Sequence, residues 1–357
     1  MIYLDHHAAA PPSAEALRAM EEARALAYAN PSSVHTAGRA SRALLERARR
    51  QVASAIGAEP AEVVFTSGGT EAVNAALAGA DVTYTTAVEH AAVAACAPEA
   101  AKLTMAQLVG LDRLPELARD TWVAVQWVNH ETGSRWNVER VAEWCRAAGA
   151  KLFLDATQAL GRVPVDLHVL GVDAAAFAAH KMGGPSGAGA LFLRRGLVPP
   201  PFMRGGEQER GRRAGSPSVE TLVGFGAACE HIEARLASMA QVGEWRDLLE
   251  QALVDGGGTV NGADFDGAPI ERVASCANVS VPGWDSPTLV VALDLEGVCA
   301  SAGPACSSGT PEPSRTVRAL HGEGRAKGAL RLSLGPDGLS DEAVRSAAAA
   351  IARVLNR

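Results

Sequence analysis

Two rhythms of apolar positions alternate along the chain. Between Val34 and Ile56 the apolar residues Leu44, Ala48, Val52 and Ile56 recur every four positions and Gly57 ends the run, a spacing that predicts one long amphipathic helix. Short, almost uninterrupted apolar runs follow at Glu62–Ser67, Asp81–Thr86, Trp122–Asn129, Lys151–Ala156 and Ala174–Ala179, each long enough for a buried strand. Helical spacing lies between them: Val73, Ala76 and Leu77 after the first, and Val141, Trp144, Cys145 and Ala148 between the third and fourth. Strands alternating with helices predict an α/β domain with a largely parallel sheet, to which Gly189–Arg195, reached through a Gly-rich turn, adds an antiparallel strand. A long helical stretch from about Ser218 to Leu253 predicts the link to a second region of α+β style. That region has strands at ANVSVPG and GALRLSLG, a helix at SPTLVVALDLEG and a last helix after Ser340. Asp341 and Glu342 sit in the first turn of that last helix, where the positive end of the helix dipole favours them.

Composition narrows this little further. The 357 residues suffice for two domains, and 48% hydrophobic with 20% charged residues is ordinary for a globular chain. A net charge of −7 argues against nucleic acid as the main partner. No apolar run approaches the roughly 20 residues that span a bilayer, and the first residues lack the basic-then-apolar order of a signal peptide, so no membrane partner and a cytoplasmic setting are expected. The six cysteines form no CxxC pair and no disulfide framework, which suits a reducing compartment. Most are expected to be small buried hydrophobes. No metal-ligand spacing stands out, because the adjacent His6 and His7 would point to opposite faces of an extended segment.

The chemistry gathers at the strand ends, where open α/β sheets hold their ligands. Gly68, Gly69 and Thr70 follow the first strand and open a helix, Glu89 and His90 follow the second, and Asn129 and His130 the third. Asp155 ends the fourth with Gln158 three residues on, and His180 and Lys181 end the fifth. Taken singly, each has an ordinary structural reading: a glycine turn, a helix cap, a core histidine, a solvated lysine. In phase at one sheet edge they fit a planar, phosphorylated, electron-withdrawing aldehyde. A helix N-terminus suits its phosphate, a carboxylate its ring nitrogen, an imidazole its ring face, and a lysine holds it as a Schiff base. The small residues beyond Lys181 leave room for ring and substrate. These residues point to pyridoxal 5′-phosphate carried by Lys181.

The lysine segment AHKMGGPSGAGALFL resembles that of the cysteine desulfurases, within the class V aminotransferase group of fold-type I enzymes that use pyridoxal phosphate. NPSSVHTAGRAS, VVFTSGGTEAVNAAL, AVEHAAV, VNHETG, LDATQALGRVPVDL, GGEQERGRRAGS and GPACSSGTPEPS resemble the same family in the same order, from Tyr3 to Gly335. The resemblance implies a large domain (14–235) with a mostly parallel seven-stranded sheet and a smaller α+β domain (1–13 and 236–357). It implies that Lys181 binds the coenzyme and moves protons, that Asp155 meets the pyridine nitrogen, Gln158 the ring hydroxyl and His90 the ring face, and that Gly69, Thr70 and His180 hold the phosphate. Ser216 stands where the family has a threonine that reaches the phosphate of a second subunit, which implies a homodimer. Arg331 matches the arginine that grips the substrate α-carboxylate, a bidentate task suited to guanidinium. Cys306 matches the nucleophile. Glycines and prolines surround it, as suits a mobile loop, and a thiol of unperturbed pKa is only about 3% thiolate at neutral pH. The implied reaction takes L-cysteine to L-alanine and leaves a persulfide on Cys306 for an acceptor protein of iron–sulfur assembly or thiolation.

Several positions depart from the family pattern. His130 occupies the place of an asparagine that meets ring and substrate, Ala178 replaces a phosphate-binding serine, and His6, His7, Ala8, Ala9 and Ala10 replace polar residues at the active-site mouth. The stretch between His90 and Trp122 is shortened. A selenocysteine lyase or a class V aminotransferase of altered substrate is the alternative, and the presence of Cys306 speaks against the transaminase.

Overall fold

A computed structural model describes residues 1–110, 114–303 and 313–356. Fourteen strands are present among them. β1 is Ile2–Tyr3, β2 Val63–Thr66, β3 Val82–Thr86, β4 Ala101–Leu103, β5 Trp122–Gln126, β6 Lys151–Asp155, β7 Ala174–Ala178 and β8 Gly189–Leu193. β9 (Thr259–Val260), β10 (Asp264–Phe265), β11 (Ala268–Pro269), β12 (Cys276–Ser280), β13 (Val298–Cys299) and β14 (Ala329–Ser333) follow. Seven form one sheet in the order β2-β8-β7-β6-β5-β3-β4, in which β8 runs antiparallel to both neighbours and the other pairs are parallel. The fold is therefore α/β with a mostly parallel sheet and one added antiparallel strand, as the apolar runs predict.

Strands β5 to β8 are buried almost throughout, which explains their unbroken apolar sequences: a sheet covered on both faces has no polar side to alternate with. Gly189 marks a close approach of backbone to backbone. A Cβ there would lie 2.6 Å from the Gly68 Cα and 2.7 Å from the Phe177 carbonyl oxygen. The predicted long helix is observed as Thr36–Ala55. It packs with Ala14–Ala27 and Val219–Glu230 on one face of the sheet, placing Leu45, Ala48 and Val52 in the same core as Phe65, Phe177 and Phe225.

The long helical stretch predicted from about Ser218 to Leu253 is observed as three successive helices: Val219–Glu230, Ile232–Ala237 and Met239–Asp255. His231 and Ser238 stand at the breaks. A second core begins with the third helix. It unites Leu4, Val242, Leu249, Val279, Leu293, Leu332 and Ile351, from the first residues and the last third of the chain, around β12 and β14. The last helix, Asp341–Leu355, starts at Ser340, whose hydroxyl accepts from the Ala343 amide at 3.3 Å. Among the described cysteines, Cys145, Cys229 and Cys276 are buried, whereas Cys96 and Cys299 are partly exposed. No described helix is long and apolar enough to cross a membrane.

Candidate active site

The carboxyl ends of β2, β3, β5, β6 and β7 open onto one cavity of about 210 Å³. Its walls include Gly69, Thr70, His90, His130, Asp155, Gln158, His180, Lys181 and Arg331, so nine of the eleven residues singled out from the sequence meet here. Ser216 does not; it is exposed and lines a separate cleft. Cys306 lies outside the described residues.

Each wall residue is set by its strand end. Gly69 begins the helix Gly69–Leu77, whose free amides and dipole face an anion-sized space. A Cβ at Gly69 would fall 2.6 Å from Thr157 Cγ2, so the cradle admits glycine and little else without a shift. Asp155 is buried, and one carboxylate oxygen accepts from the Thr157 amide (3.1 Å) and hydroxyl (2.7 Å), which fixes its rotamer. His90 caps the next helix through Nδ1, which accepts from the Ala92 amide at 3.1 Å and leaves the proton on Nε2. Its ring meets that of His130 edge-on at 5.6 Å. Gln158 donates through Nε2 to the His7 carbonyl (2.9 Å), while its buried Oε1 has no partner among the described residues. That acceptor is suited to a hydroxyl on a planar ligand.

Lys181 reaches across to the N-terminal segment. Its amine donates to the carbonyls of His7 (2.7 Å) and Ala8 (2.9 Å). The His7 amide donates to Ser333 Oγ (2.9 Å), and the His7 ring lies 3.1 Å from Ser275 Oγ, to which Arg162 donates in turn. The first residues thus form one wall of the site. Asn129 does not line the cavity. It builds the turn instead, with Oδ1 accepting from the amides of Glu131 and Thr132, and so delivers His130 to the wall.

Gln126, Thr157 and Val128 also line the cavity and were not among the candidates read from the sequence. Gln126 had a signal: it is the lone polar residue within an apolar strand, and its amide nitrogen donates to the Val88 carbonyl.

Burial dominates the electrostatics. It lowers the imidazoles of His6 and His130 to about 3, with Arg162 and Arg235 adding to the effect on His6, and His90 and Arg331 on His130. It holds His7 well below its ordinary value and, with Lys181, lowers His180 to about 4. Burial also raises the Glu89 carboxyl to about 8, with the charge of Asp155 pushing the same way. These rings are neutral hydrogen-bonding groups at neutral pH. An unfolded chain would take up protons on them near pH 6.5, and the folded chain does not, so stability falls as pH drops from about 6.5 toward 3. The melting temperature is expected to decline between about pH 7 and about pH 5, and His130→Asn is expected to flatten part of that slope in a thermal scan.

The aminotransferase class V family model matches residues 2–343. The chain belongs to the class V aminotransferase family. Among its relatives is the cysteine desulfurase of Cereibacter sphaeroides, 38% identical over 363 residues that cover 93% of this chain and 90% of that one. The cysteine desulfurase of Enterobacter agglomerans is 37% identical, with 93% and 87% covered. Among solved structures, a NifS-like protein superposes with a TM-score of 0.88 at 27% identity over 99% of each chain. SspA in complex with cysteine superposes with a TM-score of 0.79 at 25% identity, over 94% of this chain and 99% of that one. The class V fold thus holds for the whole chain, as the resemblance of its motifs implies.

Proposed function

We propose that this chain is a cysteine desulfurase that uses pyridoxal 5′-phosphate, releases L-alanine from L-cysteine and leaves the sulfur as a persulfide on Cys306. The observation that carries this reading is the convergence of Lys181, Asp155, His90, Gln158 and Arg331 on one cavity. The donor set fits the coenzyme chemically. The Gly69 cradle at a helix N-terminus suits the phosphate, with Thr70 and His180 beside it. Buried Asp155 suits a protonated ring nitrogen, the unpartnered Gln158 Oε1 a ring hydroxyl, and the His90 imidazole the ring face. When bound, the coenzyme supplies an electron sink for charge left at the substrate α-carbon.

The chain's own residues do the rest. Arg331 holds the α-carboxylate and so orients the amino acid, with His130 as a neutral donor beside it. Lys181 gives up its carbonyl partners, holds the coenzyme and carries the proton to and from carbon. Cys306, as thiolate, takes the substrate sulfur. Cysteine and one enzyme thiol become alanine and one persulfide, so the overall change needs no outside oxidant. The persulfide then passes to an acceptor protein of iron–sulfur assembly or thiolation. We further propose a large domain over 14–235 and a smaller one over 1–13 and 236–357, a homodimer in which Ser216 reaches the phosphate of a second copy, and a cytoplasmic setting.

Supplying the coenzyme-loaded protein with L-cysteine and a thiol reductant is expected to yield alanine and sulfide in equal amounts. Pyruvate in place of alanine, or a keto acid formed without sulfide, would redirect the assignment to another class V reaction.

A further inference from the structure

We propose that Asp5 is the positioning residue and counter-charge of Arg331, and that it restricts the cavity to amino acids whose side chains carry no negative charge. This rests on the role of Arg331 given above and extends it to substrate choice.

Backbone pairing brings the two together across the length of the chain. Asp5 sits opposite Ser333 in an isolated parallel bridge, the Ser333 amide donates to the Leu4 carbonyl (2.8 Å), and the His6 amide donates to the Ser333 carbonyl (3.1 Å). Arg331 lies two residues before Ser333 on β14 and therefore shares its face. The Asp5 carboxylate accepts from Arg331 Nη2 at 2.7 Å, and the His130 carbonyl accepts from Nη1 at 2.8 Å. The Arg331 side chain is 2% exposed and that of Asp5 19%.

A guanidinium this buried is costly unless a carboxylate balances it, and Asp5 is that carboxylate. Hydrogen bonds remain on offer, however. Arg331 Nε is buried without a partner among the described residues, and a guanidinium has five N–H groups in all. The substrate α-carboxylate therefore meets directed donors on a cation whose charge is already offset. Around the site, the cations Lys181, Arg331 and Arg162, which donates to the Gln158 carbonyl, stand against the carboxylates Asp155, Asp5 and Glu131, which lies 3.9 Å from the His130 ring. A second anion on the substrate side chain finds no surplus positive charge in a space otherwise walled by small, apolar and amide side chains and by the neutral rings of His7, His130 and His180. Removing the Asp5 charge would leave one cation in excess and relax that discrimination.

The test uses the coenzyme-loaded protein and the near-isosteric pair L-asparagine and L-aspartate, with binding read by calorimetry rather than by turnover. The intact protein is expected to bind L-asparagine more tightly. Asp5→Asn is expected to shift the ratio of dissociation constants toward L-aspartate by about tenfold, and Asp5→Glu to keep the original preference. A variant that gains no aspartate affinity relative to asparagine overturns the proposal. So does an intact protein that holds both equally, a result that decides the matter even if a thermal scan shows Asp5→Asn to be unfolded. Alanine and sulfide release from L-cysteine, measured on the same intact preparation, judges the desulfurase reading separately.

Discussion

Replacing Lys181 by alanine is expected to abolish the visible and near-ultraviolet absorption of the coenzyme-loaded protein and to lower sulfide release by about 10³-fold or more. Two losses combine in that number. The amine is the group that would hold the coenzyme, and it is also the group that would carry the proton. The chain has four lysines, and Lys181 alone among them lines the cavity. Lys151 pairs with Asp120 at 3.2 Å and Lys102 with the Ala97 carbonyl at 3.4 Å, both away from the cavity walls. Borohydride reduction followed by digestion therefore has few peptides to distinguish. The label is expected on the Lys181 peptide of the parent protein and on none in the variant. A label on any other lysine would remove the basis for the assigned site.

The Cys306→Ser variant is expected to separate binding from sulfur transfer. Its absorption should match that of the parent, because every residue assigned to hold the coenzyme is unchanged. Its sulfide release should fall to the assay background, because a hydroxyl is far less acidic than a thiol and cannot accept sulfur as a persulfide. Mass spectrometry after L-cysteine should show added sulfur on the parent and none on the variant. A variant that still released sulfide at the parent rate would require another nucleophile. The described cysteines are poor substitutes: burial raises the thiols of Cys145 and Cys276 to about 12 and about 11, and pushes that of Cys229 up as well.

The strands that deliver chemistry were legible in the sequence because each couples a buried apolar run to an abrupt polar residue. Asp155 after KLFL and Lys181 after AAAFAAH are the clearest instances. Such an abrupt change at a strand end is a signal that survives without knowledge of the neighbours. β4 escaped because three residues, two of them exposed, carry no usable alternation. The breaks at His231 and Ser238 escaped because apolar spacing continues through them while the backbone does not. Asp5 escaped for a different reason. Its partner Arg331 is 326 residues away, and only the pairing of the first residues with β14 makes them neighbours. Likewise, Gln158 and Lys181 lean on the backbone carbonyls of His7 and Ala8, and a carbonyl bears no mark in an amino-acid sequence.

The placement of β8 has a consequence for how this enzyme could change over time. Because it returns between β2 and β7, with Gly189 paired to Thr66 on one side and Ala178 on the other, the lysine strand and the phosphate-facing turn are stitched into a single unit. Substitutions there would disturb both together and leave little scope for gradual retuning. The opposite wall, drawn from the first ten residues and β14, answers to a separate core. New amino-acid preferences would be easiest to acquire on that side, where residues can drift while the anchoring half stays as it is.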